Sequence, residues 1–288
     1  MTLFGASVQA ASPANANQVV LDQLRAFDES VGNIGYELAA NGVGLCPSAT
    51  TPLSGVRVHT LGQYGAAVRE DAKLLFGMGD FPAVLTVAPE SPAAKAGLMV
   101  GDWIVSVDGQ QIAHNDYSGV AEFDARMAVG LAGGKVSLLI ERGGQRRTIV
   151  IAGQPGCRSR VELVPGKKLN AAADGNIVQI TTAVVGETRG EDELAFVIAH
   201  EMAHNILGHA ARLDRTGRSA ANIRATETEA DLLALKLMKA AGYDPMAASR
   251  FWARFGRKTG AGIFSDGTHM RTKDRVRLLA DEAAKLAQ

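Results

Sequence analysis

The sequence predicts an α+β chain of two domains: a small β-rich unit over residues 70–155, and a mainly helical unit with a small sheet over residues 156–288. Three observations carry this expectation. The chain has 288 residues, 47% of them hydrophobic, enough for two cores. Between 70 and 155, short runs rich in β-branched residues alternate with glycine-containing turn signals. Beyond 156, apolar residues recur at helical spacing over long stretches, after one strand-type run. The formal net charge is zero, which gives no reason to expect a nucleic-acid partner, although basic residues cluster after 210. No run of eighteen apolar residues occurs, so no transmembrane helix is expected.

Residues 1–14 read as a signal-peptide remnant or a disordered tail. Leu3 to Ala10 has the texture of the end of a leader, with Val8 and Ala10 placed as in an A-x-A-like cleavage site, but no basic stretch precedes it. Export to a bacterial periplasm is the expected location, with the cytoplasm as the alternative. Residues 15–69 form an N-terminal helical segment expected to pack on the helical domain. Its helix, 15–41, is carried by Val19, Val20, Leu24, Phe27, Val31, Ile34 and Leu38, and Asn41-Gly42 ends it. Pro47 to Ser54 is loop composition. The two cysteines, Cys46 and Cys157, bracket the β-rich unit. They are either a disulfide closing a loop of about 100 residues or two free thiols; neither lies in a CxxC.

In the β-rich unit, Ala83–Val87, Trp103–Val107 and Val136–Ile140 are strand-type runs, and Asp108-Gly109 and Gly143-Gly144 are hairpin turns. Ser91 to Leu98 gives a one-turn helix closed by Gly97, because glycine tolerates the left-handed conformation of such a cap. The phrases SPAAKAGLMVGDWIVSVDGQQI and VSLLIERGGQRRTIVIAG resemble a PDZ domain of the bacterial protease-associated type. The resemblance implies a groove between a strand and a helix near 118–130 that takes an extended peptide or a C-terminal tail as an added strand. Gly77 to Phe81 is either the carboxylate-binding loop of that groove or an ordinary glycine-rich turn.

The chemistry lies beyond 156. A strand-type segment, Gly175 to Thr181, leads into a helix over 191–212, with Glu191, Asp192 and Glu193 in the first turn where the helix dipole favours them. This helix carries His200-Glu201-Met202-Ala203-His204, the pattern HExxH. Positions i and i+4 share a helix face, so both imidazoles can bind one Zn²⁺ per chain, with Glu201 beside them as a base. A third ligand is required. A histidine ten residues after the first is excluded, since position 210 is Ala210 and position 207 is Leu207 rather than glycine. His209 falls about 140° around a continuous helix from His204, and so reads as a surface or structural histidine. A polar loop, Asp214 to Asn222, precedes a second helix over 224–241 bearing Glu227 and Asp231. These are i and i+4, so both can face the HExxH helix: Glu227 as ligand, Asp231 as acceptor from the far nitrogen of a ligand histidine. Glu229 points about 200° away from Glu227 and is the weaker candidate. Without HExxH, Glu227 would read as a solvated helix acid.

The stretches EDELAFVIAHEMAHNILGH, ETEADLLALKLMKAAGYDP and SDGTHMRTKDRVRLL, in that order, resemble the gluzincin zinc-metallopeptidase family that includes HtpX and the CAAX prenyl proteases, in its soluble, Oma-type branch. The resemblance covers 156–288 and implies that Glu227 is the third ligand. It also implies that Leu169 to Gly175 leads to a strand along the cleft, where Asn176, Ile177, Val178 and Gln179 pair with extended substrate. It implies further that His269 and Arg275 stabilise the oxyanion; here Met270 stands where the family usually has proline. The expected function is a metalloendopeptidase that cleaves polypeptides in protein quality control, the PDZ unit recruiting substrates or regulating. The alternative is a PDZ-based chaperone or scaffold with latent proteolysis.

Overall fold

The structure is a computed structural model and describes residues 16–112, 114–258 and 270–286; the expected tail over 1–14 lies outside them. The chain runs through α1 (Ala16–Asn41), β1 (Thr50–Leu53), β2 (Val56–His59), α2 (Arg69–Phe76), β3 (Ala83–Val87), α3 (Pro92–Lys95), β4 (Trp103–Val107) and β5 (Gln110–Gln111). It continues through α4 (Tyr117–Ala132), β6 (Lys135–Arg142), β7 (Gln145–Ala152), β8 (Gln154–Cys157), β9 (Arg160–Val164), β10 (Ala171–Ala173) and β11 (Ile177–Thr181). The remainder is helical: α5 (Thr182–Glu187), α6 (Glu191–Ile206), α7 (His209–Thr216), α8 (Ala220–Ala241), α9 (Met246–Lys258) and α10 (Thr272–Leu286). This is the α+β organisation expected.

The β-rich part is one antiparallel sheet in the order β2-β3-β4-β6-β7, with β5 paired to β4. It begins at Val56, ahead of residue 70. Both hairpin turns have two consecutive residues with positive φ, Asp108-Gly109 (47° and 76°) and Gly143-Gly144 (57° and 72°). Such turns match the twist of the strands they join. Helix α4 lays Phe123, Met127 and Leu131 on Val58, Ile104, Leu138 and Ile140, which closes a separate core. The edge strand beside α4 is β2, preceded by Leu53 to Gly55. Gly77 to Phe81 instead leads into β3, whose two edges are taken by β2 and β4, so no peptide adds there. The Trp103 indole donates to Gly77 O and Asn115 donates to Gly79 O, which makes this stretch a structural turn.

His59, on β2, is buried against Phe76, with Nδ1 2.8 Å from the Tyr64 hydroxyl. Burial pushes its pKa down to about 4. A histidine depressed below its unfolded value near 6.5 contributes stability that is whole above pH 6.5 and lost as pH falls towards 4, about 3 kcal/mol in all. Amide-exchange protection of β2 and β3 is therefore expected to drop across that window in the natural chain, and to drop much less in His59→Phe.

The two parts are tied at their joint. β1 pairs with β8, and Cys46 is disulfide-bonded to Cys157 across a sequence separation of 111. Closing a loop of that size restrains the unfolded chain by about 4–5 kcal/mol in the chain-entropy view. Helix α1 packs on α6, α8 and β9 through Val31, Ile34 and Leu38. Val19 and Val20 differ from the expected stripe: both are exposed, on turns that extend beyond this contact.

The helical core surrounds α6, which is buried on nearly every side from Glu193 to Ala203. That suits a helix apolar around its circumference rather than on one stripe. No residue side chain caps its N-terminus at Gly190; Glu193 instead reaches back to accept from Arg189 N at 2.7 Å, and it pairs with Arg254. Phe196 and Met202 pack among Leu235, Met238, Phe251 and Phe255. A single helix over 191–212 is not what forms. Gly208 adopts φ 62°, the left-handed conformation that stops a helix, so α6 ends at Ile206 and α7 starts afresh at His209. Helix α8 begins at Ala220, four residues before the expected start, because Ser219 accepts from Asn222 N at 3.2 Å as its N-cap. Among the described residues, no helix is long and apolar enough to cross a membrane.

Candidate metal centre

Helix α6 presents His200 and His204 on the face turned to α8, and α8 presents Glu227 and Asp231 to them. The Nε2 atoms of the two histidines are 3.2 Å apart. Glu227 Oε2 lies 3.3 Å from His200 Nε2, and Glu227 Oε1 lies 3.4 Å from His204 Nε2. One donor atom from each of His200, His204 and Glu227 lies within 4.8 Å of the others, a set of two imidazoles and a carboxylate that could hold a metal ion. Glu201, buried, lines the same cavity of about 340 Å³ as the three donors.

Asp231 stands behind His200, its Oδ1 3.0 Å from Nδ1. A hydrogen bond there places an imidazole proton on Nδ1 and leaves Nε2 on the cavity side, beside Glu227. Burial by itself would raise the Asp231 pKa, but Arg275 and His200 outweigh it and hold the carboxyl below its usual range. Burial likewise pulls His200 down, but the Asp231 and Glu227 carboxylates overcome this and push it up to about 10. His204 goes the other way, down to about 3, through burial and then the charge of His200.

Arg275 does not stand where the resemblance implied. Its Nε donates to Asp231 Oδ2 and its Nη2 to Oδ1, both at 2.7 Å, and its guanidinium lies 3.9 Å above the Trp252 ring. With 2% exposure it is committed on the far side of His200 from the cavity, because a buried cation needs that carboxylate. It holds Asp231 in place. His269 lies outside the described residues.

The strand along the cavity also differs. Asn176 precedes β11, and Ile177, Val178 and Gln179 lie within it. β11 is the middle strand of the sheet β10-β11-β9, with β10 antiparallel on one edge and β9 parallel on the other. Both edges are occupied, so substrate cannot pair with it. Ala171 and Ala173 of β10, with Gly175, line the cavity, and among the described residues no strand pairs with the outer edge of β10. Asn205, buried one residue after the second histidine, accepts from Gly175 N at 2.7 Å and donates to Ser159 Oγ at 2.9 Å. It locks the turn after β10 to the metal helix. Sequence reading passed over it, although its place directly after HExxH was a signal.

His209 is neither on the surface nor turned away. It is 1% exposed, and its Nδ1 is 2.9 Å from His204 Nδ1. Its Nε2 is 3.3 Å from Glu229 Oε2, which Arg212 also holds at 2.8 Å. On one continuous helix His209 would point elsewhere, but the break at Gly208 swings it back beside His204.

Residues 145–219, which include HExxH, match the model of Peptidase family M48, and residues 84–142 match that of a PDZ domain. The chain thus carries a segment similar to M48 metallopeptidases and a segment similar to PDZ domains. The chain is 27% identical over 168 residues to the mitochondrial metalloendopeptidase OMA1 of Schizosaccharomyces pombe, covering 47% of this chain and 50% of that protein. It thus spans about half the length of the curated relative it matches. Among solved structures, it is similar to the HtrA-type protease AlgW with decapeptide (25% identity, 38% of this chain, 30% of that chain, TM-score 0.28). It is also similar to the HtrA3 PDZ domain bound to a phage-derived ligand (23% identity, 37% of this chain, 88% of that chain, TM-score 0.27). The HExxH of α6 and Glu227 of α8 thus line one cavity, with Asp231 behind His200.

Proposed function

We propose that this chain is a zinc-dependent endopeptidase binding one Zn²⁺ at His200, His204 and Glu227. The carrying observation is that the two Nε2 atoms, 3.2 Å apart, each lie 3.3–3.4 Å from an oxygen of Glu227, in a cavity shared with Glu201. Zinc held there would polarise a scissile carbonyl and lower the pKa of water towards neutrality. Polypeptide substrate lies along the free edge of β10, whose main-chain groups pair with it as with an added strand. Glu201 takes the proton from the attacking water and hands it to the leaving amine. Asp231 and Arg275 keep His200 in its ligand tautomer. The second donor to the carbonyl oxygen falls to His269, since Arg275 is committed to Asp231.

The PDZ groove between β2 and α4 recruits tails of polypeptides or regulates access, which suits protein quality control. The Cys46–Cys157 bridge supports an oxidising compartment, such as the periplasm, for this work. The test is cleavage of denatured casein with and without a metal chelator. Cleavage abolished by chelator and restored by stoichiometric zinc is the expected result. Casein held unfolded but uncut by the zinc-loaded chain would instead support a PDZ-based chaperone or scaffold.

A further inference from the structure

We propose that His209 is a positioning residue of the metal site, the first member of a relay His204–His209–Glu229–Arg212 that sets the tautomer and ring plane of the second ligand histidine. The inference rests on the zinc reading above and assigns to this chain a support that HExxH and ExxxD do not contain.

Proton counting carries it. Two ring nitrogens 2.9 Å apart, His204 Nδ1 and His209 Nδ1, hydrogen-bond only if one bears a proton and the other a lone pair. For His204 to offer its Nε2 lone pair to a metal, the neutral ring must carry its proton on Nδ1. His209 Nδ1 is then the acceptor, and the His209 proton is on Nε2. That nitrogen faces Glu229 Oε2 at 3.3 Å, and a carboxylate oxygen only accepts. Every group has a partner of the right kind. With a metal held by His204, the reverse assignment fails twice. It would place a proton on His204 Nε2, between His200 and Glu227, and set a bare His209 nitrogen against a carboxylate.

The scaffold holds the relay in place. At 1% exposure His209 is not reached by water that could substitute for it. His209 and Arg212 are i and i+3 on α7, so one face of this short helix delivers both to Glu229 on α8. Gly208 starts α7 in the register that permits this. The two ligand histidines are thereby held alike. His200 leans on Asp231, which Arg275 fixes; His204 leans on His209, which Glu229 and Arg212 fix. Outer partners of this kind hold ligand rings in orientation and raise their basicity, and their loss weakens metal binding by about 10–100-fold.

The test is zinc affinity by competition with a fluorescent chelator, together with the visible spectrum of the cobalt-substituted protein. Both are measured for the natural chain, His209→Leu, His209→Gln and Glu229→Leu, with the melting temperature of each zinc-free form as a fold control. His209→Leu is expected to bind zinc about 10–100-fold more weakly and to shift the cobalt bands while still melting cooperatively. His209→Gln is expected to stay close to the natural chain, because its amide oxygen accepts from His204 and its amide nitrogen donates to Glu229. Glu229 is 44% exposed at its side chain, so Glu229→Leu tests the relay without opening a core cavity and is expected to fall between these. Natural affinity and an unchanged cobalt spectrum in folded His209→Leu overturn the relay. If His209→Leu does not fold, natural affinity in Glu229→Leu does so. If the natural chain itself binds no zinc, the metal reading falls and the relay with it.

Discussion

Glu201→Gln is expected to cut casein cleavage by about 10²–10⁴-fold while leaving one zinc per chain. The carboxylate is the one proton acceptor on the HExxH helix that lines the cavity without being one of the three donors. Glutamine keeps the shape and most of the packing of that buried side chain, so α6 stays intact and His200 and His204 stay in place. What disappears is the ability to accept a proton from water at neutral pH and return it to the leaving amine. The checks are turnover of denatured casein and zinc by elemental analysis on the same sample. Near-natural turnover in zinc-replete Glu201→Gln would remove Glu201 from the mechanism. Loss of zinc along with turnover would make its role structural.

What was legible in the sequence is what depends on local geometry. HExxH and the i, i+4 pair Glu227 and Asp231 are statements about one face of one helix, and helix periodicity makes them readable without a partner. The two Asx-Gly and Gly-Gly turns of the β-rich sheet are of the same kind, since positive φ is written into the residue type. Two of the readings that needed correction, the cleft strand and Arg275, depend on pairing between distant segments. Whether β10 or β11 borders the cavity follows from the order β10-β11-β9, in which a strand from before the metal helix, β9, takes the second edge of β11. Arg275 was given an oxyanion role by resemblance; its partner Asp231 lies 44 residues away in the sequence. His209 was misplaced by a single glycine. Leu207-Gly208 carried a helix-stop signal, and reading it would have ended α6 early and brought His209 back beside His204. The cysteines could not be paired from composition, because a bridge between Cys46 and Cys157 requires β1 and β8 to lie side by side.

Glu227→Ala is the second large effect, and it acts on metal binding rather than on proton transfer. Glu227 is the only one of the three donors that comes from outside α6, and its two oxygens reach both imidazoles, at 3.3 and 3.4 Å. Without it, two histidines remain on one face of one helix, a set that leaves a zinc ion two protein ligands short of a closed tetrahedron. Loss of a direct ligand should exceed the 10–100-fold typical of an outer partner, so zinc affinity is expected to fall by more than about 100-fold and casein cleavage with it. Fold should be retained, because α8 is anchored on α6 through Leu235, Leu237 and Met238 rather than through Glu227.

The most direct measurement of the central claim is therefore a zinc competition titration of the natural chain against Glu227→Ala, both shown to be folded by their cooperative melting. One tight equivalent in the natural chain, weakened by more than about 100-fold in Glu227→Ala, is the result this account predicts. Equal zinc affinity in the two proteins would contradict it.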